Sequence, residues 1–191
     1  MTLLNFQKFK NSDLEVQSQT LETLFERSKS LEKLTIANPS FAQNLGSNYV
    51  ELVEKIRASL LDLCKQTGSS SGAKADVSDV IAAHPRLGQP NKVLSTHSAI
   101  EQRNLGNSDS QETLETLQRL NDQYEAKYPG LRFVVFVNGR TRPQIIQAMQ
   151  SRILSGHSWL QEAQLACNEM CDIALDRIKK NVAPSTLQNK L

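Results

Sequence analysis

Apolar residues recur at helical spacing along nearly all of this chain, and only one short run has the composition of a β-strand. That run is the apolar pentapeptide Phe133–Val137, which the turn residues Asn138 and Gly139 terminate. A single short strand has no neighbour with which to form a sheet. The sequence therefore predicts an all-α fold, a single compact multi-helix domain, in which Phe133–Val137 is a buried extended segment.

Caps and breakers divide the rest of the chain into seven predicted helices. Asn, Ser and Asp favour the residue before a helix, because their side chains accept hydrogen bonds from its unpaired N–H groups. Proline and glycine favour its end. The predicted helices cover about residues 14–28, 47–65, 75–83, 95–103, 111–128, 143–154 and 158–180.

Apolar residues at three-to-four spacing define the inner faces of these helices. The segment Gly68–Gly72 contains no apolar residue and is expected to be a mobile surface loop. The three clearest inner faces consist of Leu14, Leu21, Leu24 and Phe25; of Val50, Val53, Ile56, Leu60 and Cys64; and of Leu114, Leu117, Leu120, Tyr124 and Tyr128.

The composition is that of one soluble domain. The 191 residues are 39% hydrophobic and 22% charged. We expect one domain over residues 1–191, with its core at about 10–182 and a short tail at 183–191. A formal net charge of +2 without a basic cluster argues against nucleic-acid binding. No apolar window is long enough to span a membrane.

Cysteine usage and the chain ends bear on the compartment. Cys64, Cys167 and Cys171 are too few for a zinc site, so we expect buried, reduced thiols. The first residues lack the apolar core of a secretion signal. The last three, Asn189–Leu191, are similar to the Ser-Lys-Leu tripeptide of peroxisomal import. A peroxisomal or cytoplasmic location is expected.

The candidate chemistry begins at His84, which precedes a proline. Pro85 fixes the local backbone, and His84 is predicted to end the helix over about 75–83. A histidine is a natural general acid or base near neutral pH, and a nearby carboxylate such as Glu101 would raise its pKa and fix its tautomer. A structural histidine without a chemical role is the competing interpretation.

A second candidate group lies on the next predicted helix. Ser98, Glu101 and Gln102 stand at i, i+3 and i+4 and so share one face. A hydroxyl, a carboxylate and an amide together suit a flat, polar, nitrogen-rich ligand; a solvated helix face is the alternative. His84, His97 and Glu101 could instead bind a metal, but no HExxH-like pattern accompanies them. We expect neither metal nor cofactor.

The last predicted helix carries four apolar residues and one cation on a single stripe. The stripe consists of Ala163, Ala166, Met170, Ala174 and Arg177. The small side chains indicate close packing, and an inward Arg requires an anionic or carbonyl partner. The alternative is an Arg177 that extends to solvent near the helix end.

The extended segment Phe133–Val137 has two interpretations that can hold at once. Its side chains can pack in the core, while its backbone N–H and C=O groups hydrogen-bond an amide-like ligand.

Five short motifs occur along the chain in a fixed order. They are His84-Pro85-x-Leu87, Ser98-x-x-Glu101-Gln102, Leu120-Asn121-x-x-Tyr124-x-x-Lys127, Phe133–Val137 and Gly139-Arg140. The ordered set resembles the 2-oxo-4-hydroxy-4-carboxy-5-ureidoimidazoline (OHCU) decarboxylase family, which catalyses the last step from urate to (S)-allantoin. The resemblance spans about residues 10–182.

The resemblance implies an all-helical domain, usually a homodimer, that acts on a small-molecule substrate without a cofactor. It implies that His84 is the catalytic proton donor and Glu101 its partner at the substrate ring. The implied substrate contacts are Pro85, Ser98, Ala99, Ile100, Gln102, Phe133, Val134, Val135, Phe136, Val137 and Arg177.

The chain departs from the common family pattern in three places. The connection between His84 and Glu101 is about three residues shorter than in many members. The residue after Pro85 is often Asp in the family and is Arg86 here. The segment Lys127-Tyr-Pro-Gly-Leu-Arg-Phe133 replaces a commoner Lys-Phe-Gly-Phe-Pro-Phe.

Three other functions are compatible with parts of the pattern. A helical module could bind purine-like ligands without turnover. A small hydrolase could use a metal at His84, His97 and Glu101. A purely structural scaffold would leave the ordered motifs as coincidence.

Overall fold

The structure is a computed structural model that describes residues 3–88 and 109–181. Within these ranges the regular elements are helices and no strand occurs, which confirms the all-α prediction. In chain order the helices are α1 (Phe6–Lys10), α2 (Leu14–Phe25), α3 (Lys29–Leu34), α4 (Pro39–Ala42), α5 (Tyr49–Gln66), α6 (Ser71–Ala82), α7 (Gln111–Lys127), α8 (Arg142–Leu154) and α9 (Trp159–Asn181).

Side-chain caps set most of the helix starts, as the sequence predicted. Asp13 accepts a hydrogen bond from the N–H of Val16 at the start of α2, and Asn48 accepts one from Glu51 at the start of α5. Ser110 does the same for Thr113 in α7. Each of these bonds satisfies an N–H that has no partner inside its helix.

Two expectations about the helices are wrong. α6 begins at Ser71 rather than near residue 75, because Ser70 caps it within the segment that was predicted to be a loop. Leu14 and Val50 are 52% and 49% exposed instead of facing the core. Leu14 is the first residue of α2 and Val50 the second residue of α5. The three-to-four spacing of apolar residues identifies the inner face of a helix, but it does not show where along the helix the contact with the core begins.

Helix α9 is the centre of the packing and lies against α2, α5 and α6. Ala163, Ala166, Met170 and Ala174 are fully buried, so the close packing inferred from the stripe is confirmed. Cys64 of α5 and Cys167 of α9 face each other with their Sγ atoms 3.8 Å apart. All three cysteines are buried and free, as expected.

A buried polar cluster, which we call the Glu162 cluster, joins α7, α8 and α9. Glu162 has no exposed surface. One of its carboxylate oxygens accepts hydrogen bonds from Tyr124 at 2.7 Å and from Arg152 at 2.9 and 2.7 Å; the other lies 2.8 Å from Nδ1 of His157. Burial alone raises the pKa of Glu162, but the hydrogen bonds from Arg152 and Tyr124 outweigh it and lower the pKa.

Some predictions fall outside the described residues. The predicted helix at 95–103, with His97, Ser98, Ala99, Ile100, Glu101 and Gln102, lies there, as does the chain end with Asn189–Leu191. The import tripeptide and the extent of the domain stay predictions. In the part of the chain that is described, no helix is long and apolar enough to cross a membrane.

Replacing Glu162 with Gln should lower the free energy of unfolding by about 3–5 kcal/mol, because the buried Arg152 guanidinium loses its counter-charge. Urea unfolding at neutral pH measures the change. Glu115→Gln is the matched control: Glu115 is exposed on α7, and its loss should change stability by less than about 0.5 kcal/mol. A loss below about 1 kcal/mol for Glu162→Gln would contradict the assigned role of the cluster.

Candidate active site

His84 lies just beyond the end of α6 and is buried, with 4% of its surface exposed. The helix ends at Ala82, and the N–H of His84 still donates to the carbonyl of Ile81 at 3.2 Å. His84 therefore still belongs to the last turn, as expected for the residue before a proline. It lies two residues beyond the last residue of the helix.

The imidazole of His84 has no hydrogen-bond partner on either ring nitrogen among the described residues. Buried polar atoms without partners are uncommon and costly, and each one calls for an explanation. Burial, with the positive charges of Arg177 and Arg132, lowers the pKa of His84 from 6.5 to about 3. The ring is therefore neutral at physiological pH, and both nitrogens are available to a ligand.

Arg177 of α9 is 1% exposed and points inward. Its guanidinium donates to the carbonyls of Thr23 and Leu24 at 3.2 Å and to the carboxylate of Glu26 at 3.1 Å. These are the anionic and carbonyl partners that an inward Arg requires, and the solvent-directed alternative is wrong. The bonds fix the cation at the end of α2; a contact between Arg177 and substrate stays a prediction.

Phe133–Val137 is neither helix nor strand in the described part of the chain, so the predicted absence of a sheet is confirmed; its extended conformation stays a prediction. Side chains bind two of its backbone groups instead. Arg152 of the Glu162 cluster donates to the carbonyl of Val134 at 2.7 Å, and the N–H of Phe136 donates to the Glu169 carboxylate at 2.6 Å. The N–H of Phe136 and the C=O of Val134 therefore already have hydrogen-bond partners inside the protein.

The backbone of Val135 remains open. Successive residues of an extended segment face opposite sides, so Val134 and Phe136 share one side and Val135 faces the other. The N–H and C=O of Val135 make no hydrogen bond within residues 3–88 and 109–181.

A cavity of about 440 Å³ lies beside this segment. Its walls combine the backbone turn after the segment with one face of α9 and carry both signs of charge. Within the described residues, His84 and Arg177 do not belong to its lining. The lining residues are Val135, Phe136, Val137, Asn138, Gly139, Arg140, Ile173, Asp176 and Lys180.

The structure leaves the second predicted motif untested. Glu101, the expected partner of His84, lies outside the described residues together with Ser98, Ala99, Ile100 and Gln102. His97 lies there as well. In the described ranges no three His, Cys, Asp or Glu side chains converge on a common point that could hold a metal ion.

Four charged residues near the site were not found from the sequence: Glu26, Arg132, Arg152 and Glu169. Arg152 had a detectable signal, because it continues the inward spacing of Ile145 and Met149 on α8 just as Arg177 continues its own stripe. Glu26, Arg132 and Glu169 had none. Their partners lie far away along the chain, and only the tertiary fold brings them together.

The fold and the placement of His84 define a helical protein with a buried, uncharged imidazole. Comparison with known proteins identifies the class. A family model described as OHCU decarboxylase matches residues 10–179, and the chain belongs to this family.

One curated relative and one solved structure add to this finding. The chain is similar to the uric acid degradation bifunctional protein PucL of Bacillus subtilis (strain 168), with 32% identity over 170 residues. The aligned region covers 87% of this chain and 30% of that protein. The chain thus spans under a third of that relative. The crystal structure of an (S)-allantoin synthase has the same fold, with a TM-score of 0.60 and 18% identity over 94% of this chain and 54% of that one.

The neutral state of His84 makes stability depend on pH. Below about pH 6.5 the unfolded histidine binds a proton and the folded one does not, so the free energy of unfolding should fall as the pH drops toward 3. Between pH 7 and pH 5 this group should account for about 2 kcal/mol. Urea unfolding of wild type and His84→Asn at both pH values measures it. Equal pH dependence in the two proteins would contradict the assignment.

Proposed function

We propose that this chain catalyses the cofactor-independent decarboxylation of OHCU to (S)-allantoin, with His84 as the proton donor. Family membership over residues 10–179 supports the reaction. The observation that carries the role of His84 is a buried imidazole with neither nitrogen bonded among the described residues. A histidine kept only for structure would satisfy at least one ring nitrogen.

The reaction makes few demands on the protein. The bond between the ring carbon and the carboxylate breaks, CO₂ leaves, and the electron pair passes into the adjacent C=N system of the ring. A proton must then reach one face of a ring carbon to give a single enantiomer. Orientation of the carboxylate, stabilisation of the developing charge and one placed proton are sufficient.

A neutral His84 must acquire a proton before it can deliver one. The guanidinium groups of Arg132 and Arg177 disfavour its charged form in the empty site. A bound substrate carboxylate would offset these positive charges and raise the pKa of the imidazole. The imidazole would then take up a proton only with substrate present and pass it to the ring carbon.

The open backbone groups of Val135 are suited to the other end of the substrate. OHCU carries amide-like N–H and C=O groups on its ring and ureido arm, and the N–H and C=O of Val135 could pair with them. Arg152 and Glu169 hold the neighbouring residues on the far side of the segment, so this edge is kept in place before substrate binds.

The direct test generates OHCU in situ from urate with urate oxidase and hydroxyisourate hydrolase and follows (S)-allantoin by circular dichroism. Wild type should produce the signal quickly, and His84→Asn should lower kcat by about 10²- to 10⁴-fold. Glu115→Gln is the control; it changes an exposed residue of α7 and should stay within about twofold.

Other outcomes separate the alternatives. A wild type that does no better than spontaneous racemic decay but still binds the substrate would replace the decarboxylase with a binding module. Loss of activity on treatment with EDTA would favour the hydrolase that uses a metal at His84, His97 and Glu101.

We also propose that the protein is a homodimer, on the ground of family resemblance. Light scattering coupled to size-exclusion chromatography should give about twice the 21.3 kDa chain mass across micromolar concentrations. A mass of one chain at the highest concentration would overturn this assembly.

A further inference from the structure

The backbone on both sides of His84 is tied to α7 by two arginines. Arg132, which precedes the extended segment, donates from Nη1 to the carbonyl of Ala82 at 2.6 Å and to the carbonyl of His84 at 2.5 Å. These carbonyls lie at the end of α6, where no further helical N–H reaches them. A cation at a helix C-terminus also interacts favourably with the helix dipole.

Arg86 holds the chain two residues further on. Its guanidinium donates to both carboxylate oxygens of Glu125 on α7, at 2.8 and 2.6 Å, and to Asp122 at 3.1 Å. The Nε of Arg132 lies 3.8 Å from the same Glu125 carboxylate. Glu125 therefore links the two arginines, and His84 lies in the short segment between their attachment points.

We propose that Arg132 is a positioning residue for the decarboxylation, because its double hydrogen bond to Ala82 and His84 fixes the backbone from which the His84 imidazole projects. This inference rests on the proposed function. The ring of His84 has no hydrogen bond of its own in the described residues, so its position depends on its backbone and on packing.

A simple helix cap does not account for everything that Arg132 does. Its Nε is buried and makes no hydrogen bond to the described residues, which is costly for a charged group. Burial lowers the pKa of Arg132, and the carboxylate of Glu125 opposes that shift. A cation held in this way close to His84 also disfavours protonation of the ring.

Among residues 3–88 and 109–181, the charged groups that act on His84 come from two directions. Arg177 approaches from α9, bonded to Glu26 at the end of α2, and Arg132 approaches from the segment before Phe133. Both cations act in the same direction on the ring. Removing Arg132 leaves Arg177 in place, so the effect of one cation can be measured by itself.

Histidine NMR tests the inference without turnover. The chain has three histidines, so the Cε1–H signal of His84 can be assigned by its loss in His84→Asn. In wild type this signal should not titrate above about pH 5. In Arg132→Met it should titrate at a higher pH than in wild type, and in Arg132→Lys, which keeps the charge, it should stay near the wild-type value.

Kinetics supplies the second readout. Arg132→Met should lower kcat about tenfold or more with little change in KM, and the acid limb of its kcat/KM profile should move to higher pH. Arg132→Lys should recover most of the wild-type profile. Arg119→Met, which removes an exposed arginine on α7, is the matched control and should behave as wild type.

The outcomes distinguish the two proposals. If wild type does not form (S)-allantoin, the proposed function fails, while NMR still decides whether Arg132 controls His84. If wild type turns over and Arg132→Met keeps both the His84 titration and kcat within about twofold, the inference is overturned and the function stands. Should Arg132→Met not fold, Arg132→Gln replaces it.

Discussion

An extended segment inside a helical protein must find hydrogen-bond partners other than a neighbouring strand. For Phe133–Val137 these partners are side chains: Arg152 binds the carbonyl of Val134, and Glu169 binds the N–H of Phe136. Both come from helices that pack against the segment, and Arg152 is itself fixed by the buried Glu162. The backbone at Val134 and Phe136 is thereby held in the core. The position of this segment thus depends on the buried ion pair of Arg152 and Glu162.

The same need to compensate buried charge governs His84. Arg177 is buried only because Glu26 and two backbone carbonyls accept its hydrogen bonds, and Arg132 is half-buried beside Glu125. With these two cations nearby, the imidazole stays neutral in the empty site. An anionic substrate changes that balance more than a neutral ligand would. Under the proposed function, the electrostatics around His84 would therefore favour a substrate that carries a carboxylate.

The sequence was sufficient where local chemistry decides the outcome. Asp13 and Ser110 marked the starts of α2 and α7, and one isolated apolar run was enough to exclude a sheet. It failed for α3 and α4, which are too short to show a period. At the site, an inward arginine was predicted at position 177 from the stripe on its helix, and the same argument applied to Arg152 would have found it too. No local pattern marks Arg132, because its partners at Ala82 and His84 lie about 50 residues earlier in the chain.

Two of the departures from the common family pattern are neighbours in space. Arg86 and Arg132 lie in different segments of the sequence, yet both approach Glu125, and one holds the chain after His84 while the other holds His84 itself. Two arginines at one carboxylate repel each other unless each has further acceptors, and here Asp122 and the two backbone carbonyls supply them. Replacing either arginine would change the electrostatic environment of the other, because both lie beside the Glu125 carboxylate. Through Glu125 the two arginines therefore form one charge network that holds the backbone around His84 in place.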